Sequence, residues 1–245
     1  MKASVIIPAR YESTRFPGKP LAKIKNKEMI IHVVERALSA KEVDEVVVAT
    51  DSVEIEEIVK RNGYRAVITS KAHKSGTDRV AEAAQKSDSE IIVNLQGDEP
   101  LIDPAIIDSS IIEMKKNGNF PVCSFKKLIT NEDEMNDPNV VKVVTDKNDY
   151  ALYFSRYPIP YVKEKMSKRR LHFKHIGIYT FRREFLPIFS SLQPSPLEMS
   201  ESLEQLRIIE NGYKIKVIET EYESLSVDTP EDLTTIERFI DKNEN

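Results

Sequence analysis

Three short, almost wholly apolar runs, each closed by polar turn residues, constrain this chain more than any other feature. They lie at Ser4 to Ile7, Glu45 to Ala49 and Glu90 to Asn94. Runs of this kind read as strands buried on both faces, the situation of a parallel sheet covered by helices. Helical patterns fill the intervals. Met29 to Ala40 sets Ile30, Val33, Val34, Ala37 and Leu38 at helical spacing, and Val53 to Arg61 repeats the pattern with Ile55, Ile58 and Val59. Strand and helix in alternation define an α/β sheet. Ligands of such sheets bind beyond the carboxyl ends of the strands, so the first site candidates are Pro8 to Lys19, Thr50-Asp51 and Gln96-Gly97-Asp98-Glu99.

The second half is less regular. Val140 to Val144 and Ala151 to Phe154 read as strands, Lys163 to Lys174 as a basic, mobile loop, and Lys174 to Phe181 as a further strand. Leu197 to Asn211 reads as one helix stopped by Gly212, Lys214 to Thr220 as a strand, and Thr229 as the cap of a last helix with Pro230 in its first position. No repeat or low-complexity linker interrupts the chain. The expectation is one domain over residues 1–245, with an insertion-like region near 150–195 that could serve a subunit interface.

Composition excludes several classes. With 36 Lys plus Arg against 40 Asp plus Glu, the formal charge is 36 − 40 = −4, and a pI near 5.7 argues against a broad nucleic-acid surface. The single cysteine, Cys123, can form neither an intramolecular disulfide nor a thiolate cluster for zinc, which points to a reducing cytoplasm. No apolar run approaches the roughly 20 residues of a membrane span, and the first residues do not read as a signal peptide.

Chemistry concentrates after the strands. Arg10, Arg15 and Lys19 surround a Pro17-Gly18 turn and could converge on a polyanion such as a triphosphate, or form a solvated cationic loop. The loop lacks the Gly-Lys-Ser/Thr ending of a Walker A motif. Asp98, between a glycine turn and Pro100, suits Mg²⁺, which takes one or two carboxylates and completes its shell with water and phosphate; it could equally cap a helix starting at Pro100. Asp228 is a second aspartate after a strand-like segment. Ser75-Gly76-Thr77-Asp78-Arg79 could offer a helix N-terminus to an anion, or simply start a helix at Thr77 or Asp78. His175 alternates with Ile176 and Ile178, as a structural histidine would. Glu198, Glu201, Glu204, Gln205 and Arg207 form a polar helix face that would ordinarily be solvated.

In combination these segments resemble the 3-deoxy-manno-octulosonate cytidylyltransferases, which make CMP-Kdo for bacterial lipopolysaccharide. The resemblance runs from about Val5 to Leu233. It is carried by Ile7-Pro8-Ala9-Arg10 with Ser13, Arg15 and Pro17-Gly18-Lys19-Pro20-Leu21, by Ala49-Thr50-Asp51, by Ser75-Gly76-Thr77-Asp78-Arg79 and by Asn94-Leu95-Gln96-Gly97-Asp98-Glu99-Pro100. It continues through Tyr150 to Arg156, His175-Ile176-Gly177-Ile178-Tyr179, Leu203-Glu204-Gln205-Leu206-Arg207 and Val227 to Asp232.

The resemblance implies an α/β nucleotide-diphospho-sugar transferase fold, a Rossmann-like mixed sheet flanked by helices. It further implies a homodimer and Mg²⁺-dependent transfer of CMP from CTP to the anomeric hydroxyl of an acidic eight-carbon sugar. Arg10, Ser13, Arg15 and Lys19 would hold the triphosphate, with Pro8, Ala9, Ser75, Gly76 and Arg79 framing the cytidine and its phosphates. Asp98 and Asp228 would be the metal ligands and, with Lys19, the catalytic set. Gln96, Arg156, His175, Tyr179, Glu204 and Gln205 would line the sugar pocket. The alternatives are a synthetase for another acidic sugar, such as a sialic acid, and a catalytically silent nucleotide-binding protein. The sequence departs from the family pattern at Ser226, where many members carry glycine, and at Glu198-Met199-Ser200-Glu201. With Ser200 one helical turn from Glu204, and Glu201 an added carboxylate, these departures point to the 8-amino analogue of Kdo as the better substrate.

Overall fold

The computed structural model describes residues 1–12, 16–163 and 171–244. Its strands are, in chain order, β1 (Ala3–Ala9), β2 (Lys23–Ile24), β3 (Lys27–Glu28), β4 (Glu45–Thr50), β5 (Arg65–Ile68), β6 (Ile91–Asn94), β7 (Val122–Leu128), β8 (Lys142–Thr145), β9 (Ala151–Ser155), β10 (Phe173–Arg182) and β11 (Ile215–Glu219). Its helices are α1 (Met29–Leu38), α2 (Val53–Arg61), α3 (Gly76–Ala84), α4 (Pro104–Lys116), α5 (Glu132–Asn136), α6 (Phe185–Ser191), α7 (Pro196–Glu201), α8 (Gln205–Glu210) and α9 (Pro230–Glu244). Ser13, Arg15 and most of the expected basic loop lie outside the described residues. The chain packs as two compact units, Met1–Ile112 with Glu223–Asn245, and Glu113–Tyr222. The insertion-like region near 150–195 falls inside the second.

In the first unit the three apolar runs become β1, β4 and β6. They lie parallel in the order β6-β1-β4-β5, with Ile6 opposite both Asn94 and Val47, and Val48 opposite Ala66. Parallel neighbours need crossover connections, and the helices supply them. Helix α1 buries Met29, Ile30, Ile31, Val33, Val34 and Ala37. The expected stripe overran by one position: Leu38 ends the helix and is 50% exposed. Ser52 caps α2 by accepting from the Ile55 amide at 3.4 Å.

Helix α3 is capped by Ser75, whose hydroxyl accepts the Asp78 amide at 3.2 Å, and not by Thr77 or Asp78. Helix α9 begins at Pro230 directly after Thr229, as expected, and Asp232 strengthens that start. Asp232 reaches back to accept the amides of Asp228 and Thr229 at 2.9 and 2.8 Å, and the Thr229 hydroxyl donates to it at 3.1 Å. Those backbone bonds hold the Asp232 carboxyl below its ordinary pKa. Upstream of α9, Val227 is fully buried with Ile24, Met29 and Ile236, and Leu225 packs on the same cluster. That anchorage returns the C-terminal segment to the first unit.

The second unit is a mixed sheet. Strand β7 pairs parallel with β11 and antiparallel with β10, and β8 joins β10 to β9 through antiparallel pairs. Its interior holds Phe125, Phe154, Val143 and Val217. Among them stand lysines with buried heads: Lys126 Nζ reaches Asp149 and Thr145 at 2.8 Å each, and Lys142 Nζ donates to the Asp137 and Val140 carbonyls at 2.9 and 2.6 Å.

The expected single helix from Leu197 to Asn211 is two helices, α7 and α8. Ser202 between them is left-handed, at φ 53°. A continuous helix would direct the Glu201 and Ser202 carbonyls to amides four residues on; here Arg156 takes both, Nε to Glu201 O at 2.7 Å and Nη2 to Ser202 O at 3.3 Å. The polar face expected to be solvated is largely internal. Glu198 and Gln205 are buried, and Glu198 forms both a capping box with Ser195 and an ion pair with Arg207.

Candidate active site

The carboxyl ends of β1 and β6, the turn Lys19–Leu21 and the first turn of α3 enclose a cavity of about 390 Å³ within the first unit. Pro8, Ala9, Arg10 and Glu12 line it from β1 and the loop beyond, Lys19 and Pro20 from the turn, Gly76 and Arg79 from α3, and Gln96, Gly97 and Asp98 from the end of β6. Its position follows from the parallel sheet, whose strand ends leave space where the chain turns away into crossovers.

Two glycines shape the cavity. Gly18 is left-handed at φ 70° and donates its amide to the Tyr11 carbonyl at 2.9 Å, closing the loop so that Lys19 enters its turn pointing inward. Gly97 lies so close to β1 that a Cβ would stand 3.2 Å from the Pro8 carbonyl oxygen. Because that neighbour is backbone, a larger residue at 97 must displace the wall of the cavity.

Lys19 is the electrostatic centre. Its ammonium donates to Asp98 Oδ2 at 2.6 Å and to the Val227 carbonyl at 2.9 Å, and Asp228 Oδ1 lies 3.8 Å away. Asp98 and Asp228, 130 positions apart, therefore face one positive centre, and the Val227 amide bonds the Asp98 carbonyl at 2.9 Å to hold the two segments together. The helix that could have made Asp98 a mere cap begins at Pro104 instead. The oxygens gathered around Lys19 Nζ have the chemistry of a hard-cation donor set. Among the described residues no group of three or more His, Cys, Asp or Glu side chains is placed to hold a metal. Asp98 and Asp228 could thus hold one only with water and phosphate oxygens completing the shell, which is the habit of Mg²⁺.

Arg79 contributes to the wall by a different route. It is 4% exposed and donates to Asp51 at 2.6 Å and to the Thr69 hydroxyl at 2.5 Å, tying α3 to the ends of β4 and β5. Arg10 is exposed at the rim. Ser75 holds the α3 amides beside Gly76, which sits 3.4 Å from Pro8 by its would-be Cβ. Glu12 and Gly97 fall within the strand-end segments expected to carry the site, and Pro20 within the family motif, but sequence reasoning gave none of them a role and left Asp51 without a partner. Their position after strands marked Asp51 and Gly97 as site candidates, but the pairing of Asp51 with Arg79 and the contact of Gly97 with Pro8 join distant segments.

Of the expected sugar residues, Gln96 lies on this cavity, while Arg156, His175, Tyr179, Glu204 and Gln205 belong to the second unit. There His175 meets the Ser124 hydroxyl at 2.8 Å and packs against Phe154 and Tyr179, with ring centroids 4.9 and 5.4 Å away. Burial pushes its imidazole down to about 3 and raises the Tyr179 phenol, with the Glu204 carboxylate adding to the latter. His175 is thus a neutral hydrogen-bonding group. Arg156 commits its fork to the Glu201, Pro138 and Ser202 carbonyls. Glu201, expected as a free carboxylate, accepts from the Ser155 hydroxyl at 2.7 Å and the Arg156 amide at 2.9 Å. With α7 and α8 broken at Ser202, the one-turn relation between Ser200 and Glu204 does not exist.

A parallel sheet whose strand ends frame a cavity lined by lysine and arginine beside aspartate has the architecture of a nucleotidyltransferase. Residues 4–215 match the family described as Cytidylyltransferase. The 3-deoxy-manno-octulosonate cytidylyltransferase of Geotalea daltonii is 52% identical, covering 99% of this chain and 100% of its own length. That of Thermodesulfovibrio yellowstonii is 53% identical, covering 96% of each chain. A solved CMP:2-keto-3-deoxy-manno-octonic acid synthetase complexed with CTP superposes with a TM-score of 0.94 at 42% identity, over 99% of this chain and 100% of the other. The chain belongs to the 3-deoxy-manno-octulosonate cytidylyltransferase family.

Proposed function

We propose that this protein transfers CMP from CTP to the anomeric hydroxyl of Kdo, releasing pyrophosphate, with Mg²⁺ held by Asp98 and Asp228. The observation that carries the chemistry is the convergence of Lys19, Asp98 and Asp228 beside a cavity framed by β1, β6 and α3. The names of the relatives carry the choice of nucleotide and sugar.

Charge favours the metal. Arg10, Lys19 and Arg79 line the cavity against Glu12 and Asp98, and Arg79 is already paired with Asp51. The described lining is therefore close to neutral, too weak by itself for a triphosphate. When bound, Mg²⁺ would neutralise phosphate charge and lower the pKa of the attacking hydroxyl. The protein's own groups do the rest. Pro8, Ala9 and Gly76 shape the wall against the nucleotide, while Ser75 and its helix N-terminus present amides to an anionic or carbonyl oxygen. Lys19, moving from the aspartates to the leaving pyrophosphate, stabilises charge that grows as the bond breaks. Arg10 holds the outer phosphates. His175 and Tyr179, both kept neutral by burial, offer oriented hydrogen bonds to sugar hydroxyls, with the Glu204 carboxylate close enough to Tyr179 to raise its phenol further. The attack is in-line on the α-phosphorus, and no side chain is required as a general base.

The protein is further proposed to act as a homodimer in the cytoplasm. Leu152, Tyr157, Tyr161, Val162 and Leu171 are exposed in the second unit, and such a set of large apolar side chains suits a subunit interface. No described helix is long and apolar enough to cross a membrane. Pyrophosphate release measured with CTP, Mg²⁺ and either Kdo or its 8-amino analogue tests the substrate assignment. Kdo is expected to support turnover at least as well as the amino sugar, since Glu201 is engaged by Ser155 and Arg156; a clear preference for the amino sugar would reverse that choice.

A further inference from the structure

We infer that Glu99 is a positioning residue that sets Asp228 against Asp98, acting through Ser224. This rests on the assignment of Asp98 and Asp228 as the metal ligands. The problem it addresses is geometric: one aspartate follows a sheet strand, whereas the other arrives on residues 220–228, which form neither helix nor strand. An irregular segment has no ladder of hydrogen bonds to fix its register, so side chains must do so.

Glu99 is placed for that work. It is 7% exposed, adjacent to Asp98, and its carboxylate accepts the Ser224 hydroxyl in a short hydrogen bond. Asp98 and Glu99 thus divide two tasks at the end of one strand. Asp98 points to Lys19, while Glu99 turns inward and grips the returning segment four residues before Asp228. Leu225 and Val227, alternating with the gripped position, enter the apolar cluster around Ile24 and Met29. The Val227 amide then reaches the Asp98 carbonyl at 2.9 Å, and the next residue is Asp228. Hydrophobic contacts alone tolerate sliding along the segment; the Glu99 to Ser224 bond adds a directional stop. Partly buried hydrogen bonds to a charged acceptor are the stronger sort, so this stop is a substantial constraint.

The test uses Mn²⁺ as the probe. Its binding to the protein saturated with CTP, in the absence of sugar, is followed by electron paramagnetic resonance, and the Mg²⁺ concentration for half-maximal pyrophosphate release is measured alongside. Ser224→Ala and Glu99→Ala are expected to raise both the Mn²⁺ dissociation constant and the Mg²⁺ requirement by about threefold or more, with kcat at saturating Mg²⁺ within about twofold of wild type. Glu99→Gln, which keeps an acceptor for the Ser224 hydroxyl, should restore both towards the wild-type values. A purely structural role would lower the melting temperature while leaving the metal midpoints unchanged, and that result in Ser224→Ala would overturn the inference. Absence of Mn²⁺ binding and of any Mg²⁺ requirement in the wild type would instead remove the metal assignment beneath it.

Discussion

Replacing Lys19 by methionine keeps the length of the side chain and removes a cation that faces both Asp98 and Asp228. The lost contacts are a 2.6 Å bond to Asp98 and a 2.9 Å bond to the Val227 carbonyl, made by a side chain only 17% exposed. A charge-assisted bond of this kind contributes about 1.5 to 3 kcal/mol, and partial solvent access places the net loss near ~2 kcal/mol. For a chain of this size that corresponds to a fall in Tm of about 4 to 8 °C without metal. Mg²⁺ would supply the missing positive charge to the same carboxylates, so it should raise the Tm of the variant more than that of the wild type. During turnover, if Lys19 acts on the leaving pyrophosphate as proposed, the loss has no substitute, and kcat should fall at least about tenfold, or roughly 1.4 kcal/mol. Differential scanning fluorimetry with and without Mg²⁺, together with initial rates, gives both readings. An unchanged kcat, or an equal Mg²⁺ response of the two proteins, would refute the reasoning.

Other consequences can be measured directly. Burial holds His175 at about 3, below the about 6.5 of an unfolded chain, so its contribution is complete above the higher value and is lost as pH falls toward the lower. Between about pH 7.5 and pH 5.5 the wild type should lose about 1.4 kcal/mol that His175→Asn does not, as read by urea denaturation; parallel curves would contradict this. Glu201→Gln should destabilise the fold by about 1 to 3 kcal/mol through its contacts with Ser155 and the Arg156 amide, without changing the ratio of kcat/KM for Kdo and its 8-amino analogue. A changed ratio would return Glu201 to the sugar pocket. Gly97→Ala should raise KM for CTP by about tenfold, because the added Cβ meets the Pro8 carbonyl; an unaltered KM would mean that the wall yields freely.

The parallel half of the fold was legible because its strands are apolar runs and its crossover helices carry clear stripes. Strand β7 escaped notice because Lys126 and Lys127 interrupt its apolar run, although Lys126 is buried against Asp149 and Thr145. The α7 to α8 break is set by Arg156, more than forty residues away, and local periodicity carries no trace of it. At the site, Lys19 and Asp98 were readable from residue type and their place in segments that follow strands; the strand-like segment expected before Asp228 is neither helix nor strand, and only the family resemblance joined Asp228 to the other two. What stayed hidden was their exchange of contacts: that Lys19 occupies the space between the aspartates, that Arg79 answers to Asp51, and that Glu201 serves Ser155 and Arg156. Each depends on side chains brought together from distant segments.

Two aspartates 130 positions apart, Asp98 and Asp228, are proposed to form one metal site for CMP transfer. That assignment is tested most directly by the rate of pyrophosphate release at saturating CTP, Kdo and Mg²⁺, measured on the wild type and on Asp228→Asn with the fold of each checked by circular dichroism. The account predicts steady release by the wild type and, in a folded Asp228→Asn, a rate lower by about a thousandfold or more, equivalent to at least roughly 4 kcal/mol of lost transition-state stabilisation. Near-normal release by Asp228→Asn would contradict it.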